Sequence, residues 1–251
     1  MRIDYPQNHQ IDDLRRLWTE AFGDTEAYLD AFFYRVFSPD RCRCVMVDGR
    51  VAAALYWLDC RHMDRPVAYL YAVATGKAYR GRGLCRALMA DTHRLLAGLG
   101  YAGCLLVPGE ESLFQMYGAM GYAVSSTICQ WSAEAGDQSV DLRQIGPEEY
   151  VALRRQYLPE GAVIQEGENL ILLQAQGRLY AGETILLCAA EGKDGMFCPE
   201  FLGDPEKAPA VLRALQRVRG TFRRPGPGQD FAMYHPLTEG PVPGYFGLAF
   251  D

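Results

Sequence analysis

The chain has 251 residues, 49% of them apolar and 22% charged, and carries a formal charge of −6 at neutral pH. That length buries a real core in one large domain or two modest ones. The acidic balance argues against a nucleic-acid binder, whose affinity comes from positive charge meeting phosphates, and no apolar run is long enough to span a bilayer.

The opening stretch MRIDYPQNHQIDDL has no apolar core like that of a signal peptide, so a cytoplasmic protein is expected. The eight cysteines agree: they are scattered, with no CxxC spacing, and read as reduced thiols in apolar runs. Cys42 and Cys44 would share one face of a strand, yet small buried hydrophobes are the better reading than a metal pair. The four histidines form no ligand motif, and no metal is expected.

Ile11, Leu14, Trp18 and Ala21 recur at helical spacing, with Asp12 and Asp13 in the favourable first turn. Gly23 and Asp24 interrupt, and a second helix follows with Tyr28, Leu29, Phe32, Phe33 and Val36 on its apolar side. Two strands joined at Asp48-Gly49 come next, the dipeptide being a two-residue hairpin signal. RPVAYLYAVAT is a third strand, and the segment after it becomes a helix reaching about Ala97. AGCLLVP gives a fourth strand, EESLFQMYGAMG a short helix and YAVSSTICQWSA a fifth strand.

EAGDQ, residues 134–138, is a polar break, and domains of 1–138 and 139–251 are expected. SVDLRQI beyond it is ambiguous and might pair back into the first sheet. The second half repeats the order of elements without repeating the sequence. Helices are expected over Pro147 to Tyr157 and Glu166 to Ala175, then strands in RLYAGETILLCAAEG and GMFCPEFLG. A helix follows from the Asp204 cap to near Gly220, and DFAMYHPL and GYFGLAFD are read as two closing strands.

Chemistry concentrates in GKAYRGRGL, between the third strand and its helix. A helix N-terminus leaves backbone N–H groups unpaired and attracts an anion. Gly81 and Gly83 allow close approach of the main chain, and Arg80 and Arg82 add charge that suits a phosphate. A Walker loop is absent, and a dinucleotide fingerprint would put Arg86 where its third glycine belongs.

YRGRGLC resembles the pyrophosphate signature of the GNAT acetyltransferases, which runs Arg or Gln, two residues, Gly, one residue, then Gly or Ala. Arg80 takes the first position, Gly83 the fourth and Cys85 the last, where it departs from the usual small residue. The resemblance extends to VAYLYAVAT as the family's fourth strand and to Tyr117, Gly121 and Tyr122 as its Tyr-x-x-x-Gly-aromatic element. It implies an α/β (α+β) GNAT fold, a mixed and mostly antiparallel sheet flanked by helices, with a smaller, degenerate GNAT-like second domain.

The family then implies acetyl-CoA as co-substrate. It would be held by the backbone at Ala74 and Thr75 and by the loop Arg80, Gly81, Arg82, Gly83, Leu84 and Cys85. Tyr117 would protonate the departing thiolate. Glu110, where the family commonly has asparagine, is the candidate base through water, and Asp24 and Tyr28 border the acceptor site. The function implied is N-acetyl transfer to a small-molecule amine or a peptide, with no nucleic acid and no membrane involved. A non-catalytic acyl-CoA sensor and a nucleotide-binding regulator are the rivals. The second half has no Arg-x-x-Gly counterpart, and its expected roles are packing, shaping the acceptor pocket or a homodimer contact. Some tandem members place a chain-terminal carboxylate at the site, which would be that of Asp251 here.

Overall fold

The computed structural model describes residues 1–249 of the chain; Asp251, and with it the terminal carboxylate, lies outside the described residues. In the first half the strands are β1 (Arg2–Asp4), β2 (Cys42–Val47), β3 (Arg50–His62), β4 (Arg65–Thr75), β5 (Gly103–Leu106) and β6 (Ala123–Glu134). Its helices are α1 (Ile11–Phe22), α2 (Glu26–Arg35), α3 (Leu84–Gly98) and α4 (Glu111–Gly118). The second half contributes β7 (Arg143–Ile145), α5 (Pro147–Tyr157), β8 (Val163–Gln165), α6 (Glu168–Gln176), β9 (Gly177–Ala181) and β10 (Leu186–Gly192). It ends with β11 (Gly195–Leu202), α7 (Ala208–Ala214), β12 (Arg219–Pro225) and β13 (Gln229–Pro236). None of the described helices is long and apolar enough to cross a membrane.

Local chemistry sets these boundaries. Gly23 closes α1 in the left-handed conformation, its N–H bonded to Thr19 O, and the Thr25 hydroxyl caps α2 by accepting from Tyr28 N–H. Asp48 and Gly49 both have positive φ, which a two-residue turn of this hand requires, so β2 and β3 pair directly from Val47 and Arg50. Burial follows from strand alternation. One face of the sheet packs on α1, α2, α5 and α6, the other on α3 and α4, and a third cluster lies under α7.

The strands form one sheet in the order β1-β2-β3-β4-β5-β13-β6-β12-β11-β10-β9-β7, with β8 added to the end of β3. Only β4–β5 and β11–β12 are parallel. The mixed, mostly antiparallel sheet expected from the sequence is thus present. Its hydrogen bonding also crosses residue 138. β13, from the far end of the chain, lies between β5 and β6, with Met233 opposite both Leu106 and Val124. β6 in turn pairs with β13 over its first half and with β12 over its second.

Two sequence expectations are corrected. The helix from Asp204 stops at Ala214, because Gln216 turns to positive φ and residues 219–225 enter the sheet as β12. Beyond the expected helix end near Gly220 no element was assigned, yet Phe222 is fully buried under α7 and Arg223 stacks on Phe197. Residues 244–249, the described part of the last expected strand, form no strand. Tyr245 makes a single bridge to Ala162, Leu248 turns to positive φ, and a Cβ at Gly247 would collide with the Tyr245 hydroxyl and the Glu200 carboxylate. For SVDLRQI, where the sequence left two pairings open, β7 pairs with β9 of the second half.

Candidate active site

β4 is the strand on which the site is built. Its side chains alternate faces: Val67, Tyr69 and Tyr71 turn to the α1/α2 core, and Ala68 and Leu70 to the α3/α4 core. On one edge β4 follows β3 as far as Thr75, which pairs with Ala53. On the other edge its parallel pairing with β5 stops at Tyr69 and Leu105. From Leu70 to Thr75 β4 makes no further pairing with β5, and among the described residues its backbone has no ladder partner on that side. Within this stretch Ala72 and Val73 both fall opposite Leu55, a bulge with Ala72 at φ 48°. The end of this pairing leaves a slot in the ladder at the centre of the sheet, running from Tyr69 toward Thr75.

The glycine-rich loop lies at the open end. The Arg80 guanidinium donates to Thr75 O at 3.1 Å and so fastens the loop to the tip of β4. Gly81 and Gly83 have φ of 73° and 74°, values that L side chains rarely adopt, and nothing lies within 4 Å of where their Cβ atoms would be. No side chain caps α3. Among the described residues no acceptor takes the backbone N–H groups of residues 81–86, and these converge at a helix N-terminus. Unpaired donors, open space and the flanking Arg80 and Arg82 fit a pyrophosphate. Arg86 has another partner: it caps α4 by donating to Ala119 O at 3.1 Å.

Tyr117 projects from α4 into the α3/α4 face. It is buried, and burial with the Cys85 thiol beside it holds its hydroxyl well above the usual phenol pKa. No described residue hydrogen-bonds that hydroxyl. Cys85 occupies the first turn of α3 half-buried, and its own thiol pKa is raised by burial.

Asp24 and Tyr28 stand on the opposite face, where the α1–α2 corner borders a cleft of about 1180 Å³. The far wall comes from the second half of the chain and includes Glu191, Phe197 and Ala249. Asp24 accepts from Trp18 Nε1 at 2.7 Å, and the Tyr28 hydroxyl is 2.5 Å from that of Tyr71. Glu26 and Asp30, the other acids of this corner, both pair with the single Arg15 at 2.7 Å, so one guanidinium offsets part of their charge on an exposed helix surface. Glu110 is elsewhere. It lies exposed at the start of α4, bonded by the Ser112 hydroxyl at 2.5 Å, and borders a second cleft of about 800 Å³ with Phe114, Arg223 and Phe231.

The structure thus groups Ala74, Thr75 and residues 80–85 at one end of the slot, Tyr117 on one face, and Asp24 and Tyr28 on the other. Glu110 stands apart. Sequence reasoning did not single out the Tyr71–Tyr28 contact or the second-half wall of the cleft. The alternation of Tyr69, Leu70 and Tyr71 was a signal for the first, since it sends the two tyrosines to one face.

The family model described as a GNAT acetyltransferase domain matches residues 2–125, the part that contains slot, loop and Tyr117. The first half of the chain belongs to that family. The GNAT domain brings with it the acyltransferase class. In solved structures the likeness runs well past residue 125. The GCN5-related N-acetyltransferase from Kribbella flavida has 18% identity and a TM-score of 0.68, with 94% of this chain and 72% of that one covered. The GCN5-related N-acetyltransferase from Anabaena variabilis has 16% identity and a TM-score of 0.71, over 94% and 73%. Eis1 from Mycobacterium abscessus has 12% identity and a TM-score of 0.65, over 94% and 74%. At such identities the likeness is one of fold. No curated protein matches the chain.

Proposed function

We propose that the protein transfers an acetyl group from acetyl-CoA to the nitrogen of a primary amine, a small molecule or a peptide, by direct attack. The observation that carries this reading is the slot between β4 and β5. It has a glycine-rich loop with unpaired backbone N–H groups at one end, a buried phenol on one face and an open cleft on the other.

In this reading residues 80–85 hold the pyrophosphate with backbone N–H groups and two guanidiniums. The unpaired edge of β4 near Ala74 and Thr75 takes the pantetheine arm as an added strand would be taken, through main-chain hydrogen bonds. The nitrogen lone pair, arriving from the α2 side, attacks the thioester carbon as the C–S bond breaks. Tyr117 gives its proton to the thiolate sulfur, the proton that the nitrogen sheds on becoming an amide is returned through water to the phenolate, and burial keeps that phenol protonated at neutral pH until it is needed. Asp24 and Tyr28 border the acceptor, and Glu110 acts through water from the second cleft. The second half of the chain shapes the acceptor cleft.

Incubation of the full chain with acetyl-CoA and a panel of amines and peptides tests the reading by release of free thiol and by the mass of the acetylated product. The expected result is turnover with at least one acceptor. Tight CoA binding with no turnover on any acceptor would replace this reading with that of an acyl-CoA sensor.

A further inference from the structure

An amine that is a cation in water must shed a proton before or as it attacks, and β4 has no carboxylate to receive one. What the strand sends into the core beneath the α1–α2 corner is Tyr71. It stands two residues beyond the last β4–β5 pair and immediately before the bulge at Ala72, so it marks the point where the slot begins to open. Its hydroxyl is 2.5 Å from that of Tyr28, and Tyr28 lines the cleft. Both rings are held from behind by Trp18, at centroid distances of 5.6 and 6.4 Å. Trp18 is itself fixed by its bond to Asp24, and Tyr28 by its backbone bond to the Thr25 cap. This is a rigid, two-hydroxyl path from the middle of the sheet to water.

We infer that Tyr71 and Tyr28 relay the acceptor's proton to solvent, an inference that rests on the acetyl-transfer reading. The ammonium N–H bond breaks as its proton passes to Tyr71 O. The Tyr71 proton passes to Tyr28 O, and the Tyr28 proton passes to water in the cleft. Each oxygen gains one proton and loses one, so both tyrosines end neutral and the nitrogen is left with its lone pair. Burial holds both hydroxyls well above the usual phenol pKa, so neither waits as a phenolate base. A phenol in that state moves a proton only by giving one up as it takes one, which is what two hydroxyls in contact permit.

The test compares two small acceptors of similar shape, phenethylamine, a cation at neutral pH, and phenylhydrazine, largely neutral there. kcat/KM for each is measured with the full chain, with Tyr28→Phe, with Tyr71→Phe and with the double variant. The expected result is that the phenethylamine to phenylhydrazine ratio falls about tenfold or more in each single variant. The double variant falls no further, because one path is broken only once. A ratio within about twofold of wild type in the single variants overturns the relay, as does a double variant whose loss is the product of the two. Tyr28→Phe removes one oxygen at the cleft wall and decides the matter alone if Tyr71→Phe does not fold. Wild type that acetylates neither probe overturns acetyl transfer and relay together, whereas active wild type with an unmoved ratio overturns the relay only.

Discussion

Removing the Tyr117 hydroxyl separates chemistry from binding. The ring of Tyr117 packs among Leu84, Leu88 and Tyr122, and phenylalanine keeps that packing. Tyr117→Phe is expected to lower kcat by about 100-fold, the scale of a lost general acid, with the CoA dissociation constant within about twofold of wild type. Stopped-flow thiol release and CoA titration read the two quantities; equal loss in both would make Tyr117 a packing residue. At this scale the sequence was partly legible. Tyr117 stood in a local pattern with Gly121 and Tyr122, and the charge of Arg80 and Arg82 stood out beside two glycines. The contact of Tyr28 with Tyr71 joins residues 43 positions apart, and no local pattern encodes it. Arg86 shows the converse. Its charge beside the loop invited a phosphate, but its place on the first turn of α3 gives it the C-terminal carbonyls of α4.

The N-terminus of α3 depends on backbone shape more than on any side chain. Gly83→Val would force a branched side chain to a φ of 74°, at a cost of roughly 1–3 kcal/mol, and would fill the space from which an anion approaches. The expected outcome is a folded protein, a few degrees less stable, whose CoA affinity falls by tenfold or more in calorimetric titration. Undiminished affinity would remove the loop from the site. The other end of α3 reports on pH. His93 stacks on His235 of β13 at 4.2 Å and bonds the Tyr122 hydroxyl at 2.8 Å. Burial, then the neighbouring His235, push the His93 pKa down to about 4. In the unfolded chain the group titrates near 6.5, so only the unfolded state takes up the proton between those values. This contribution to stability is complete above about pH 6.5 and is lost as the pH falls toward 4. Thermal unfolding midpoints should decline over that window, and His93→Gln should flatten the decline. Elements of this kind were the most legible part of the sequence, since caps, periodicity and the Asp48-Gly49 turn are local. β12 was missed because its inward Phe222 is set among arginines, and only the aromatic rings of Phe197, Phe231 and Trp131 show why those arginines belong on a sheet.

At the scale of the molecule the two halves cannot be read separately. DFAMYHPL is recognisable as a strand, but nothing in its alternation says that its partners are β5 and β6, more than 100 residues earlier. The tail behaves in the same way. Phe246 is buried against Tyr69 of β4, and its backbone N–H and carbonyl both bond the Ser126 hydroxyl of β6. Behind it lies an ion pair sealed from water, Arg154 with Glu200 at 2.6 Å, whose carboxylate also accepts from the Tyr150 and Tyr245 hydroxyls. Glu200→Ala would strand a buried guanidinium and is expected to cost about 3–5 kcal/mol in denaturant unfolding, with the tail and the adjoining cleft wall loosened together. Cutting the chain at residue 138 is the sharper experiment. The fragment 1–138 keeps the loop, Tyr117 and most of the slot, yet it loses β13 from between β5 and β6 and the tail from over Tyr69. Two strands then present unpaired edges around an uncovered apolar face, a state that aggregates in water. The fragment alone is expected to be insoluble or to lack a cooperative thermal transition. Co-expression with residues 139–251 should restore a soluble complex that binds CoA. A fragment that folds alone with a sharp transition would show that β13 completes the catalytic half without being needed to form it.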